Sequence, residues 1–520
     1  MSDQDRIRFL ADIPSVHAQA RGGETAIAFE DRTLTYAELE RRSRGVAQGL
    51  LQMGVAPGDR VAWLGRNCDT FFEAFFGAAR TRACLAPINF RLAIPEIAFI
   101  LKDSGARVFL VTPDFFDCAL AVTRDMARPP RLIAVGGACE GFESFEALRD
   151  GAPDVALPTP LATDDVLQLY TSGTTGLPKG VRLTNANYEG FMKVAPTVEG
   201  FNYAAHETVL IVMPLFHVAG TNISLAGLAG GGRVIVLGEF SPAAVLSLIE
   251  AETVAHIFLA PAMIQMTLQA PQIETADLSS LRTVAYGASP ISEAVLAKAK
   301  ARFGCGFVQF YGMTETSGAG SFLAPSAHEG ERLRSCGTPW PGVEMRIQDA
   351  EGREVAVGGI GEIAIKGWPI MAGYWNRPEA TAETVSADGW LRTGDAGYRD
   401  AAGFYFVHDR VKDMIVSGGE NVYPAEVENA ILGCPGVADA AVIGVPDERW
   451  GEAVKAIVVP AAGASPTPED IIAWARGRIA GYKAPKSVDF VDALPRNASG
   501  KVLRRELRMP FWEGRDRKVG

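Results

Sequence analysis

Tyr170-Thr-Ser-Gly-Thr-Thr-Gly-Leu-Pro-Lys-Gly180 combines four Ser/Thr hydroxyls, three glycines and one lysine within eleven residues. It follows an apolar run at 166–169 that is typical of a buried strand. Glycines let the backbone approach an anion closely, and the hydroxyl and ammonium groups add hydrogen-bond donors. Pro178 stands where a Walker A loop needs its second glycine, so this is a different kind of loop. The segment therefore predicts a strand that leads into a phosphate-binding loop.

On both sides of this loop, short apolar runs alternate with amphipathic segments, which is the pattern of parallel sheets covered by helices. Thr35 and Glu38 form a capping box that predicts the start of one helix. The uncharged stretch 208–232 is long enough to span a bilayer, but a proline, a histidine and several glycines interrupt it, so we expect buried strand and loop. Predicted buried strands lie at 61–64, 108–111, 209–212, 234–237, 256–259, 283–286 and 307–310.

The sequence pattern changes twice towards the end of the chain. From about 337 to 406, glycine turns separate short strands, which predicts a small twisted β region. After the charged segment 410–413, a further glycine turn opens a compact unit with both helix and strand signals. We therefore expect an α/β fold with a large N-terminal domain of helix-covered β-sheets, which includes the twisted β region, and a small α+β C-terminal domain. The predicted domains are residues 1–411 and 412–520.

Composition narrows the classes of partner and compartment. A net charge of −11 over 520 residues argues against nucleic acid or an anionic membrane as a partner of the whole surface. The seven cysteines are scattered and form no CxxC pair, which fits free thiols in a reducing compartment. The N-terminus is charged throughout, so we expect no secretory signal, no membrane span and a cytoplasmic location. Whether the protein forms a homodimer stays open, because nothing in the sequence decides the oligomeric state.

Further motifs occur along the chain beyond the phosphate loop. They are Met213-Pro-Leu-Phe-His-Val-Ala-Gly220, Tyr286-Gly-Ala-Ser289, Tyr311-Gly-Met-Thr-Glu-Thr316, Trp390-Leu-Arg-Thr-Gly-Asp395, Asp409-Arg-Val-Lys-Asp413, Ser417-Gly-Gly-Glu-Asn421 and Pro495-Arg-Asn-Ala-Ser-Gly-Lys501. In type and order, these segments and the loop resemble the adenylate-forming superfamily, which includes the acyl- and aryl-CoA ligases. The resemblance covers nearly the whole chain.

The resemblance implies an ATP-dependent acid–CoA ligase. Such an enzyme forms an acyl-adenylate and pyrophosphate, then an acyl-CoA thioester and AMP, with ATP and coenzyme A as co-substrates and Mg²⁺ as cofactor. By resemblance, Glu315 holds Mg²⁺, Thr314 contacts a nucleotide phosphate, and Lys501 binds the substrate carboxylate and the α-phosphate. The residues expected to bind ATP or AMP are Thr171, Ser172, Gly173, Thr174, Thr175, Lys179, Gly287, Ala288, Tyr311, Gly312, Asp395 and Arg410.

Several of these roles also suit the chemistry of the residues. Glu315 is a carboxylate just after an apolar strand, and Mg²⁺ usually takes only one or two protein carboxylates beside water and phosphate oxygens. Tyr311 offers a flat apolar face to adenine, and Asp395 can accept hydrogen bonds from both ribose hydroxyls. Residues 481–520 hold ten lysines and arginines against five acidic residues. An acidic chain therefore carries a basic end around Lys501, which suits an anion site.

The resemblance further implies that the C-terminal domain is mobile about a hinge at Lys412, where other members have aspartate. One pose presents Lys501 for adenylation. The other brings Gly418 and Gly419 beside the pantetheine tunnel, where a side chain would block the thiol. Ala484 stands where certain relatives have arginine, which leaves open how the nucleotide end of coenzyme A binds. Other expected coenzyme A contacts are Trp450, Tyr482 and Lys486.

The acid itself is defined only in part. The expected acid pocket is formed by His217, Tyr286, Met313, Ser317 and Gly318. These residues are mostly small or apolar and include no obvious cation for a second carboxylate, which predicts a monocarboxylic acid with an apolar body. Amino-acid adenylation domains have an aspartate near His217, so an amino acid is not expected. A fatty acid and an aromatic acid both stay open.

Two alternatives to a coenzyme A ligase remain. The first is an adenylate-forming enzyme that passes the acyl group to another acceptor, such as a carrier protein. The second is a catalytically silent nucleotide-binding protein, and the presence of Lys501, Glu315 and Lys179 together disfavours it.

Overall fold

The computed structural model describes residues 3, 6–172, 177–289, 291–410, 413–417, 420–496 and 500–513, without the side chains of residues 172, 409, 410 and 421. Strands and helices are numbered in chain order. Within these ranges the strands form four sheets.

The first sheet has nine described strands and is parallel from β14 to β1, with antiparallel strands at both edges. Across the sheet the order is β16 (Thr338–Pro339), β15 (Ser321–Leu323), β14 (Gly306–Tyr311), β13 (Thr283–Gly287), β12 (Val254–Leu259), β10 (Thr208–Ile211), β11 (Arg233–Val236), β1 (Thr25–Phe29) and β2 (Arg32–Thr35).

The second sheet has eight described strands, and an antiparallel hairpin, β8–β9, lies towards one edge of its parallel part. Its order is β19 (Gly373–Tyr374), β9 (Pro178–Thr184), β8 (Asp165–Ser172), β4 (Cys84–Ile88), β3 (Arg60–Leu64), β5 (Val108–Val111), β6 (Arg131–Ala134) and β7 (Glu143–Ser144).

Two smaller sheets follow along the chain. The third is antiparallel and consists of β17 (Val343–Gln348), β18 (Gly361–Gly367), β20 (Leu391–Arg399) and β21 (Tyr405–Arg410). The fourth consists of β23 (Glu420–Val422), β22 (Ile415–Ser417), β25 (Gly451–Pro460), β24 (Val437–Asp447) and β26 (Ser487–Phe490). The fourth sheet has a hydrophobic core of its own, in which Val427, Val442 and Ile471 pack.

Helices accompany these sheets, and none of the described ones combines the length and apolar character needed to cross a bilayer. They are α1 (Asp12–Arg21), α2 (Tyr36–Gln52), α3 (Thr70–Arg80), α4 (Ile94–Ser104), α5 (Phe116–Thr123), α6 (Phe145–Asp150), α7 (Asn185–Val194), α8 (Val218–Ala229), α9 (Pro242–Ala251), α10 (Pro261–Gln269), α11 (Glu293–Phe303), α12 (Pro378–Thr384), α13 (Pro424–Leu432), α14 (Pro468–Arg476) and α15 (Arg504–Trp512).

The predicted α/β class is confirmed, and all seven predicted buried strands form with ends shifted by at most two residues. Helix α2 begins with the predicted capping box, in which Glu38 N donates to Thr35 Oγ1 and Thr35 N donates to the Glu38 carboxylate. The expectation for 208–232 is confirmed for its strand, β10, and wrong for its loop, because α8 occupies the centre of the stretch. All residues of α8 except Ala219 are buried, so this helix carries no polar stripe by which a sequence pattern could identify it.

The described strands divide near the predicted domain boundary. Strands up to Arg410 belong to the first three sheets, and strands from Ile415 onward form the fourth. Residues 411 and 412 lie outside the described part, so the boundary at 411/412 stays a prediction. A hydrogen bond from Gln265 Nε2 to the Ala438 carbonyl, at 3.2 Å, joins the two parts.

Candidate active site

The stem of the predicted phosphate loop is the hairpin β8–β9, in which Thr171 pairs with Lys179 and Ser172 with Pro178. The Thr171 hydroxyl donates to Glu315 Oε1 at 3.1 Å. The stem therefore contacts the residue predicted to hold the metal. The predicted loop residues Gly173, Thr174 and Thr175, and the side chain of Ser172, lie outside the described residues.

A tight turn after β14 carries the second group of predicted residues. Gly312 follows the strand, a 3₁₀ turn spans Thr314–Thr316, and Gly318 adopts a φ of +76°. A Cβ on Gly312 would lie 2.6 Å from the Gly318 carbonyl carbon, so only glycine fits this approach. The turn buries Thr314 and Glu315, and Met313 N donates to Thr316 Oγ1 at 3.0 Å.

The Glu315 carboxylate accepts hydrogen bonds on one oxygen. Oε1 accepts from Thr171 and also from Tyr374 Oη at 3.0 Å, whereas Oε2 accepts none from the described residues. The described part of the chain holds no cluster of three or more His, Cys, Asp or Glu that could bind a metal. A single buried carboxylate with one oxygen left over fits a hard ion such as Mg²⁺, which takes its other ligands from phosphate and water.

The predicted adenine and ribose residues meet at the edge of the third sheet. Tyr311 Oη donates to Asp395 Oδ2 at 2.7 Å, and Asp395 pairs with Arg410 in the β20–β21 register. Burial and the Asp395 carboxylate raise the pKa of Tyr311 well above its ordinary value, so the phenol stays protonated as a donor. The side chain of Arg410 is outside the described part.

The end of β13 lies beside β14, where Gly287 pairs with Phe310 and Ala288 adopts a φ of +66°. The side chain of Tyr286 is fully buried, and its hydroxyl lies 3.0 Å from His328 Nε2 in a separate hydrophobic cluster. Tyr286 therefore packs with that cluster, and its place in the acid pocket stays a prediction.

His217 caps the N-terminus of α8, since its Nδ1 accepts from Ala219 N at 3.3 Å. Burial lowers its pKa to about 4, so the imidazole is neutral near pH 7. Helix α8 reaches the turn after β14 through Asn222, whose Nδ2 donates to the Ser317 carbonyl at 2.7 Å. Asn222 Oδ1 is buried and has no hydrogen-bond partner among the described residues. Gly318 lies beside Asn222 and Val218, so the turn after β14 packs against the first turns of α8, which His217 caps.

Lys501 lies on a closed turn of the C-terminal part. Gly500 precedes it with a φ of +82°, Arg496 Nη1 donates to the Gly500 carbonyl at 2.6 Å, and Arg496 forms a β-bridge with Val502. A Cβ on Gly500 would lie 3.6 Å from Cβ of Ala262, which is in the first turn of α10. The turn therefore lies against the large part of the chain, just beyond the carboxyl end of β12.

Trp450 and Lys486, both predicted to contact coenzyme A, lie together on the surface of the C-terminal part. Lys486 Nζ lies 5.9 Å and Arg449 Cζ 4.5 Å from the centre of the half-exposed Trp450 ring. Tyr482 is 42% exposed beside Lys483. The hinge residue Lys412 and the predicted tunnel residues Gly418 and Gly419 lie outside the described part.

Tyr374 and Asn222 were not identified from the sequence as site residues. Tyr374 lies 59 positions from Glu315, so no local spacing connects the two. Asn222 lies within the uncharged stretch 208–232, where the sequence predicts strand and loop rather than a buried helix. For Tyr374, the only available signal was the short segment Gly373-Tyr374 between glycine-rich turns. No sequence signal indicated Asn222 as a site residue.

Two family models match the chain. One described as AMP-binding enzyme matches residues 15–375, and one described as AMP-binding enzyme C-terminal domain matches residues 426–501. Feruloyl-CoA synthase of Amycolatopsis sp is 44% identical over 504 residues, 96% of this chain and 99% of that protein. Fatty acid–[acyl-carrier-protein] ligase ScoC of Streptomyces coeruleorubidus is 40% identical over 520 residues, 99% of this chain and 98% of that protein.

Among solved structures, the anthranilate CoA ligase AuaEII in complex with anthranoyl-AMP superposes with a TM-score of 0.91 at 26% identity, covering 98% of this chain and 99% of that one. The family models account for most of the residues, and the relatives align nearly end to end. The chain therefore belongs to the AMP-binding enzyme family, the adenylate-forming superfamily, and is an AMP-forming acid ligase.

Proposed function

We propose that this enzyme joins a monocarboxylic acid to coenzyme A in two half-reactions. A carboxylate oxygen of the acid attacks the α-phosphorus of ATP, and pyrophosphate leaves. The thiol of coenzyme A then loses its proton and attacks the acyl carbon, and AMP leaves. The observation that carries the proposal is the buried Glu315 carboxylate, hydrogen-bonded to the stem of the phosphate loop through Thr171.

In this proposal the chain supplies positioning and charge rather than a nucleophile. Thr314 and the loop residues bind phosphate oxygens, while Tyr311 and Asp395 hold the adenosine. Glu315 would hold Mg²⁺, and the bound ion would neutralise phosphate charge. Lys501, carried on its closed turn, binds the acid carboxylate and the α-phosphate, where negative charge shifts during the first half-reaction.

Coenzyme A as the acceptor is supported by the surface pair Trp450 and Lys486, since an indole face can stack on adenine and an ammonium group can bind phosphate. A carrier protein is the second candidate, because ScoC, a ligase that uses one, is 40% identical over nearly the whole chain. Supplying one acyl-adenylate with either coenzyme A or a phosphopantetheinylated carrier protein separates the two. Thioester formed only on the carrier protein would overturn the proposal for coenzyme A.

The acid class is proposed from the relatives. We propose a hydroxylated aromatic acid over an unsubstituted fatty acid, because the feruloyl-CoA synthase relative is 44% identical over 504 residues.

Pyrophosphate exchange with a panel of hydroxylated aromatic, unsubstituted aromatic and straight-chain acids tests this proposal. We expect the highest kcat/KM for the hydroxylated aromatic acids. Faster exchange with straight-chain acids would overturn the aromatic assignment. No exchange with any acid, despite ATP binding, would overturn the ligase proposal as a whole.

A further inference from the structure

The phenol of Tyr374 contacts the carboxylate that the proposed function assigns to the metal. Its Oη donates to Glu315 Oε1 at 3.0 Å, and the relative exposures of the two residues are 8% and 5%. Thr171 Oγ1 donates to the same oxygen at 3.1 Å. Two donors therefore fix the plane and rotamer of the carboxylate, and Oε2 is the oxygen they leave for a ligand.

Tyr374 is itself held by backbone contacts. Strand β19 pairs with β9, the strand that leaves the phosphate loop, with Tyr374 opposite Val181. Tyr374 N donates to Thr381 Oγ1 at 2.9 Å, and Trp375 N donates to the Gly180 carbonyl at 2.7 Å. The backbone of Tyr374 is thus tied to the strand that follows the phosphate loop.

The same ring contacts a cation of the loop. Lys179 Nζ lies 5.0 Å from the centre of the Tyr374 ring, within the range of a cation–π contact. One side chain therefore touches both the buried carboxylate and the lysine predicted to bind phosphate. The hydroxyl acts on the carboxylate and the ring face on the lysine, so the two contacts can be removed separately.

We propose that Tyr374 is a positioning residue that orients Glu315 so that Oε2 faces Mg²⁺, and that keeps Lys179 on the phosphate side of the same centre. The inference rests on the proposed function, because it takes Glu315 as the metal ligand. Groups that hydrogen-bond a metal-binding carboxylate usually change metal affinity about 10–100-fold when removed. The Tyr374 hydroxyl is such a group.

The variant Tyr374→Phe tests the hydroxyl, and Tyr36→Phe is its matched control. Tyr36 is also buried, and its hydroxyl donates to the Gly232 carbonyl at 2.7 Å, among residues that belong to none of the predicted binding sets. Two readouts apply: the Mg²⁺ concentration for half-maximal pyrophosphate exchange, and Mn²⁺ binding to the enzyme–ATP complex followed by electron paramagnetic resonance. ATP binding in the presence of EDTA reports the nucleotide site alone.

For Tyr374→Phe we expect about a tenfold weaker affinity for Mn²⁺ and a matching rise in the Mg²⁺ requirement, with unchanged ATP binding in EDTA. Tyr36→Phe should lower thermal stability without moving either metal readout. Thr171→Val, which removes the other donor to Oε1, should shift metal affinity in the same direction and provides the test if Tyr374→Phe does not fold. Tyr374→Leu, which also removes the ring, should weaken ATP binding in EDTA as well.

Metal affinity that stays at the wild-type value in Tyr374→Phe, or in Thr171→Val if that variant alone folds, would overturn the inference. Failure of the proposed function would give a different result, because no acid would then support pyrophosphate exchange in the wild-type enzyme. In that case Mn²⁺ binding still decides the role of Tyr374, because that measurement needs no acid.

Discussion

Glu315 and Lys501 are proposed to serve the same half-reaction, but the chain holds them differently. Glu315 is buried and accepts hydrogen bonds from the β8–β9 hairpin and from β19. Lys501 belongs to the C-terminal part and follows Gly500, whose carbonyl accepts a hydrogen bond from Arg496. Gly500 lies beside Ala262 of the large part. One group is pre-organised by contacts between distant segments, whereas the other is carried on a unit with its own core. The two poses that the family resemblance implies would need this difference, since a separately folded unit can move without disturbing the contacts of Glu315.

The largest effect should come from Lys501→Ala. We expect pyrophosphate exchange to fall by about 10²–10³-fold, because a cation at developing charge is lost, while thioester formation from a supplied acyl-adenylate is retained. Arg505→Ala, which removes an exposed neighbouring charge, is the control. Equal losses in the two half-reactions would mean that Lys501 does not serve adenylation alone.

The next largest effect is expected from Glu315→Gln. Exchange should fall by about 10²-fold and the Mg²⁺ requirement should rise, because the buried charge proposed to hold the metal is lost. Glutamine keeps an acceptor for Thr171 and Tyr374, so the fold should survive. Glu344→Gln, an exposed carboxylate of β17, provides the comparison. An unchanged Mg²⁺ dependence in Glu315→Gln would place the metal elsewhere.

A smaller effect is expected at the surface of the C-terminal part. Trp450→Ala should raise the KM for coenzyme A about tenfold, the order of one base-stacking contact, and leave pyrophosphate exchange unchanged. Trp450→Phe keeps a ring and should restore most of the affinity. A loss of exchange in Trp450→Ala would contradict the assignment of Trp450 to the second half-reaction alone.

The smallest effect is expected at the junction of the two parts. Gln265→Ala removes a hydrogen bond to Ala438 and should change the free energy of unfolding by less than about 1.5 kcal/mol. Asp165→Ala, which breaks the buried pair with Arg60 inside the second sheet, should destabilise by about 3–5 kcal/mol. Denaturant unfolding measures both. A larger loss for Gln265→Ala than for Asp165→Ala would mean that the junction is a rigid interface.

Local sequence patterns were sufficient to predict an element wherever the residues that define it lie within one segment. The capping box of α2 and the strand of 108–111 are examples, because the residues that make the element also lie within it. Helix α8 is the counterexample, since a helix buried on all sides has no polar face to give it a helical period. Tyr286 shows the same limit at one residue: its motif is recognised in the sequence, but the contact of its hydroxyl with His328, 42 positions away, has no local signal.

The amino-acid sequence by itself determined the α/β class, the family and the segments that meet at the site, because motif residues and hydrophobic periods are local properties of the chain. Tertiary structure alone decided which oxygen of Glu315 is hydrogen-bonded, that the Tyr286 hydroxyl lies beside His328, and that Asn222 and Tyr374 reach Ser317 and Glu315. These contacts join segments tens of residues apart, and only packing of the sheets brings them within hydrogen-bond distance. The physical reason is that a hydrogen bond depends on a few ångströms and an angle, neither of which a sequence pattern specifies.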